Sequence, residues 1–249
     1  MKKFGSNTVF SRAQEYTTED TLQQASAIGV AIKTVLLIGI TFLSAIIGIY
    51  IIGPIGILEL YIPIVIIDFI LLIVMSFSAR SCKYLSIPYA ILEGLMIGAI
   101  TGILEIAWPG VGISIAGTAF IVTIIIFLVA SLLYISGAIK VTNKFRKVMF
   151  VALLSLLVSG LFLGLVSVFS PSVRAFFNYG PVAIVISIIY VIIASIYVVI
   201  SLDNAYEIVD SGLDKNYEWY AAFGVLINVI WLFYEVLRLI IIIADSRRD

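Results

Sequence analysis

YEWYAAFGVLINVIWLFYEVLR (Tyr217–Arg238) is the stretch that decides how the chain is read. It is apolar for longer than the roughly 20 residues a helix needs to cross a bilayer. Yet Asn228, Glu235 and Arg238 sit inside it. A charge at mid-membrane costs about 2.5–3.5 kcal/mol on insertion scales, so an ionisable group there is a functional candidate. Just upstream, DNAYEIVDSGLD (Asp203–Asp214) sets acids along the edge of another long apolar run.

The composition agrees with a membrane setting. Of 249 residues, 62% are hydrophobic and 12% charged, against about a quarter charged in soluble domains. The net charge is zero, which argues against nucleic acid as a partner. A single cysteine, Cys82, leaves no intrachain disulfide. Histidine is absent. That removes the usual zinc ligand, the Ser-His dyad and the simplest pH switch. Any response to pH has to come from carboxylates.

The order of apolar runs predicts an all-α membrane protein with seven transmembrane helices. They fall at about 34–53, 57–77, 85–104, 111–135, 148–169, 181–210 and 219–243. Backbone groups in lipid have no water to bond, which makes these runs helices. A polar tail, residues 1–27, precedes a transmembrane domain over 28–249. With the N-terminus inside, eleven Lys and Arg residues fall on inner segments and three on outer ones. This bias places the N-terminus in the cytoplasm and the C-terminus outside a cell membrane. The basic end of the last helix leaves a re-entrant course open.

Several residues carry candidate chemistry. Asp203, Glu207, Asp210 and Asp214 fall at i, i+4, i+7 and i+11, a helical stripe. They form either a cation-attracting vestibule or a solvated helix end, with Gly212 as the C-terminal cap. Glu93 borders a glycine repeat, Gly94, Gly98 and Gly102, whose spacing lets a neighbouring helix come close. Gly160 and Gly164 repeat that device. Asp68 lies five residues after Pro63, which can kink a helix. Glu93 and Asp68 each read as a pathway residue or as a locally bonded acid. Glu235 and Arg238, three apart, suit an internal ion pair. Asn228 lies on nearly the same face. Trp219, Tyr220 and Trp231 read as interface anchors or packing.

Enzymatic constellations are missing. No histidine or lysine base stands in the bundle for a serine protease. The paired strings of an aspartyl intramembrane protease and the paired glutamates of a prenyl-peptide protease are also absent. No catalytic residue and no bound cofactor are expected.

Four motifs in order carry a resemblance. They are NTVFSR (Asn7–Arg12), YAILEGLMIG (Tyr89–Gly98), EIAWPG (Glu105–Gly110), and YEWYAAFG with WLFYEVLRL (Tyr217–Leu239). Together they resemble the bacterial branch of the transmembrane Bax inhibitor motif family. The resemblance implies six helices wrapped around a central seventh. It also implies a pH-sensitive calcium leak, gated by two aspartates on the last two helices that share a proton. Asp203 matches the first. The second position falls on Asn228 or on Glu235, and Asn228 is nearer the family spacing. Calcium would then find oxygen ligands in Asp203, Asn228 and Glu93. A different class of function stays open: a non-conducting regulator that binds other membrane proteins, such as a quality-control protease, through the 1–27 tail.

Overall fold

The computed structural model describes residues 24–170 and 180–246, with side chains described for all of these except 51–60. Most of the 1–27 tail, the NTVFSR motif included, lies outside the described residues. Seven helices follow in order: α1 Ala27–Ile47, α2 Gly53–Phe77, α3 Ala79–Ala107, α4 Gly112–Ile135, α5 Asn143–Phe169, α6 Gly180–Asp210 and α7 Tyr217–Asp245. Among the described residues there is no β-strand, only an isolated bridge between Gln24 and Asp214. Six of the helices are long and apolar enough to span, and Tyr61–Phe77 of α2 forms a shorter apolar segment.

Helix starts differ most from the sequence expectation. α1, α3 and α5 begin at residues 27, 79 and 143 rather than at 34, 85 and 148. Hydropathy stops counting at a polar residue, whereas backbone bonding does not. The Ser26 side chain caps α1 by accepting from the Gly29 N–H, and Thr142 does the same for α5 from Phe145. Lys33, Arg80, Lys83, Lys144, Arg146 and Lys147 therefore stand on helices, not in loops. α1 also passes into α2 through a π-helical turn, Gly48–Ile52, with no connecting loop.

α6 continues to Asp210 as expected. Gly212 then takes the left-handed conformation at φ +64° and ends it. α7 runs unbroken for 29 residues, about 43 Å at 1.5 Å per residue. α7 is thus one continuous helix without a break. α7 packs against α1, α3, α4 and α6, and its Ala222, Leu226 and Leu232 are completely buried. The glycine repeat of α3 does what its spacing predicts. A side chain at Gly94 would collide with the Thr41 carbonyl of α1, and one at Gly98 would come within 2.8 Å of the Ala45 carbonyl. Gly160 and Gly164 behave differently: a Cβ there meets nothing within 4 Å, so α5 is not drawn in by them.

Candidate functional site

The first polar cluster lies midway along three helices. Asp68 is on α2, Tyr89 and Glu93 are on α3, and Tyr234 is on α7. Tyr89 and Glu93 are four residues apart and so share a face. The Tyr89 hydroxyl donates to Glu93 Oε1 at 2.8 Å. From α7, the Tyr234 hydroxyl donates to Glu93 Oε2 at 3.2 Å. The Asp68 carboxyl is close enough to Glu93 for their charges to interact. Asp68 and Glu93 are each only 7% exposed, and Tyr89 1%. Leu37, Met75, Cys82, Phe223 and Leu226 form one apolar cluster with Tyr89, with the Phe223 ring edge-on to Tyr89 at 5.2 Å. Glu93 sits 14 residues from the start of α3, about 21 Å along the helix.

This burial sets the chemistry. A buried acceptor left unbonded costs about 1–3 kcal/mol, and more if charged. Glu93 answers that cost with two tyrosine hydroxyls. Asp68 does not: its Oδ1 is fully buried and has no partner among the described residues. The cluster therefore sets an unsatisfied oxygen close to a second buried carboxyl.

The second cluster joins α4, α5 and α6. Arg146, in the first turn of α5, grips Glu207 with both arms, Nη2 to Oε1 at 2.8 Å and Nη1 to Oε2 at 3.1 Å. Its Nη2 also forms an ion pair with Asp203. The Tyr134 hydroxyl donates to Asp203 Oδ1 at 3.1 Å. Asp203 and Glu207 are four apart on α6, so one guanidinium can hold both.

These contacts correct the expected partner of Asp203. Asn228 donates to the carbonyl of Gly224, one turn back on α7, at 2.9 Å. Glu235 accepts from the Trp231 indole at 3.1 Å, and its Oε2 is buried without a partner among the described residues. Neither is bonded to Asp203. The reason is local: the Asn228 side-chain amide adds a bond to a carbonyl one turn back on its own helix, and Arg146 holds Asp203. The direct Glu235–Arg238 ion pair is also replaced. Arg238 stacks over the Tyr190 ring at 5.7 Å, while Glu235 turns to Trp231. Among the described residues, Asp203 and Glu93 belong to two hydrogen-bond networks with no common member. Of the vestibule acids, Glu207 is taken up by Arg146, whereas Asp210 stays exposed.

Two further acids carry structure. Glu218, 1% exposed, accepts from the Ser26 N–H at 2.8 Å and the Ser26 hydroxyl at 3.0 Å, and pairs with Lys33. A side chain at Gly29 would strike the Glu218 carboxyl. With the Ala25 N–H donating to the Leu213 carbonyl at 2.8 Å, this clasps the head of α1 to the α6–α7 turn. Glu105 of the EIAWPG motif accepts from the Gly110 and Ile113 N–H groups at 2.6 and 3.0 Å. It caps the start of α4, where a negative charge is favoured.

Among the described residues, no group of three or more His, Cys, Asp or Glu could hold a metal ion. The Asp68–Glu93 pair supplies two carboxyls at most. Calcium takes 6–8 oxygens, more than two carboxyls supply.

The fold and its interior acids define a multi-pass helical membrane protein. Residues 7–245 match the family model described as Bax inhibitor 1 like. The chain belongs to that family. No curated protein and no solved structure matches it.

Proposed function

We propose that the chain is a proton-modulated cation leak of the Bax inhibitor type, with calcium as the ion and α7 as the central helix. Asp68 and Glu93 form its internal site, and the Arg146–Asp203–Glu207 triad closes one end. The N-terminus faces the cytoplasm of a bacterial cell and the C-terminus the outside. The observation that carries this reading is the buried, unpartnered Oδ1 of Asp68 beside a second carboxyl.

With one proton on the pair it carries at most one negative charge, and the tyrosine hydroxyls hold Glu93. Loss of the proton leaves two negative charges side by side in a medium of low dielectric, which a divalent cation relieves. Leak therefore rises with pH. Tyr89 and Tyr234 hold Glu93 in place from two helices, so the site changes charge without changing shape. Asp203 is already neutralised by Arg146, which suits a lock better than an ion ligand.

Calcium flux into proteoliposomes, measured at acid and alkaline pH, tests the proposal. Wild-type flux is expected to rise with pH, and Asp68→Asn and Glu93→Gln are expected to flatten the profile. No flux at either pH would instead favour the non-conducting regulator that binds membrane partners such as a protease.

A further inference from the structure

Glu235 is an acid whose bonding capacity the fold leaves largely unused. Its Oε1 accepts from the Trp231 indole at 3.1 Å, and its Oε2 has no partner among the described residues. An ionised carboxylate offers about four acceptor sites, of which Trp231 fills one. Arg238, three residues on, is close enough for the two charges to interact. It forms no ion pair with Glu235, and its guanidinium lies over the Tyr190 ring instead. The local charge is therefore balanced while the carboxylate stays open to a hydrogen-bond donor.

The same carboxylate borders an open cavity of about 750 Å³ between α5, α6 and α7, within the range of small-molecule sites. Tyr190 and Trp231 line it from α6 and α7, and Gly160 and Gly164 from α5. A Cβ at either glycine meets nothing within 4 Å, so the α5 side is flat there. Trp231 is held in place by its bond to Glu235 and by the Tyr197 ring, 5.5 Å away and edge-on. The remaining walls are leucines and one valine of α5. Two helices give the depth of the polar end. Tyr190 lies ten residues from the start of α6 and Glu235 ten from the end of α7. Each distance is about 15 Å, half of the ~30 Å hydrocarbon core.

We propose that this cavity binds a lipid-soluble quinol, a flat ring with hydroxyl donors on an apolar tail. One hydroxyl donates to Glu235, the ring lies between the Gly160–Gly164 floor and the rings of Trp231 and Tyr190, and the tail follows the leucines of α5. Each feature of the site selects for this class. The balanced charge calls for a neutral ligand, and the unfilled acceptor for a donor. Aromatic rings facing a flat floor suit a planar body. Mid-membrane depth requires a molecule that dissolves in hydrocarbon, which excludes a phospholipid, whose polar part stays at the surface. The site shares no residue with the Asp68–Glu93 pair and does not rest on the cation reading.

A thermal melt of the full chain in detergent tests this with two probes, decylubiquinol and its dimethyl ether. The ether keeps the ring and the tail and lacks the donor. The quinol is expected to raise the midpoint, as any ligand of the folded state does. The ether should need at least about tenfold more for the same rise, the worth of one hydrogen bond to a charged group. Glu235→Met, similar in length and without a strong acceptor, should bring the two probes level by weakening the quinol. Gly160→Leu with Gly164→Leu should fill the floor and abolish the shift from both. Equal shifts in the wild type would overturn the proposal in favour of a tail that merely partitions into apolar surface. No shift from either probe would overturn it as well. A quinol preference that survives both sets of substitutions would place the partner of the hydroxyl elsewhere and overturn the site. If a variant fails to fold, the comparison of quinol with ether on the wild type decides.

Discussion

Replacing Arg146 by glutamine should open the proposed lock. Arg146 makes three charge-assisted hydrogen bonds, one to Asp203 and two to Glu207. When buried, a bond to a charged group contributes about 1.5–3 kcal/mol. The Glu207 side chain is 40% exposed and that of Asp203 17%. The Glu207 pair is therefore discounted to about 0.5 kcal/mol, as for surface pairs. The Asp203 bond keeps roughly 1.5 kcal/mol, so the triad holds α5 to α6 by about 2 kcal/mol. Glutamine also leaves Asp203 and Glu207 as like charges four apart, which repel. If the triad favours the closed state, losing 2 kcal/mol raises the open population by about 30-fold while that state stays minor. Calcium entry into proteoliposomes reads this as an initial rate. Arg146→Lys keeps one point charge but loses the two-armed grip, and should fall between. An unchanged or reduced rate for a folded Arg146→Gln protein would refute the lock and leave the triad a structural staple.

Three other outcomes follow from packing and the clasp. Gly94→Val should destabilise the protein by at least about 2 kcal/mol, because the new side chain collides with the Thr41 carbonyl; a thermal melt in detergent checks this, and an unchanged midpoint would contradict the α1–α3 contact. Gly160→Leu should leave that midpoint nearly unchanged, since its surroundings are open. Glu218→Gln removes the charge that Lys33 pairs with in a site 1% exposed. It should cost roughly 1–3 kcal/mol and speed amide exchange at Ala25, whose N–H is bonded to Leu213; protection equal to wild type would count against the clasp.

The seven helices are legible in the sequence because bilayer thickness imposes a length on each apolar run. Their starts are less so. α3 and α5 begin in turns carrying Arg80, Lys83, Lys144 and Arg146, where hydropathy falls but helical bonding continues. That same feature conceals Arg146, whose place in the first turn of α5 makes it the partner of Asp203. Glu93 and Asp68 stand out singly as acids in apolar runs. Their meeting depends on the rotation of α2 against α3, which no single run encodes. Tyr89 and Tyr234 give no signal of their own, because a tyrosine in a spanning helix reads as an anchor. The i, i+4 step from Tyr89 to Glu93 was the available signal. Asn228 misled for the opposite reason: its amide is satisfied within its own helix, so a polar residue in an apolar run need not point to a partner.

The central claim is that the buried Asp68–Glu93 pair sets the passage of cations by losing a proton. Calcium flux across a pH series, with wild type, Asp68→Asn and Glu93→Gln side by side, tests it most directly. Flux rising with pH in the wild type and flat in both variants is the predicted result. Variants that are folded and keep the wild-type profile would contradict the claim.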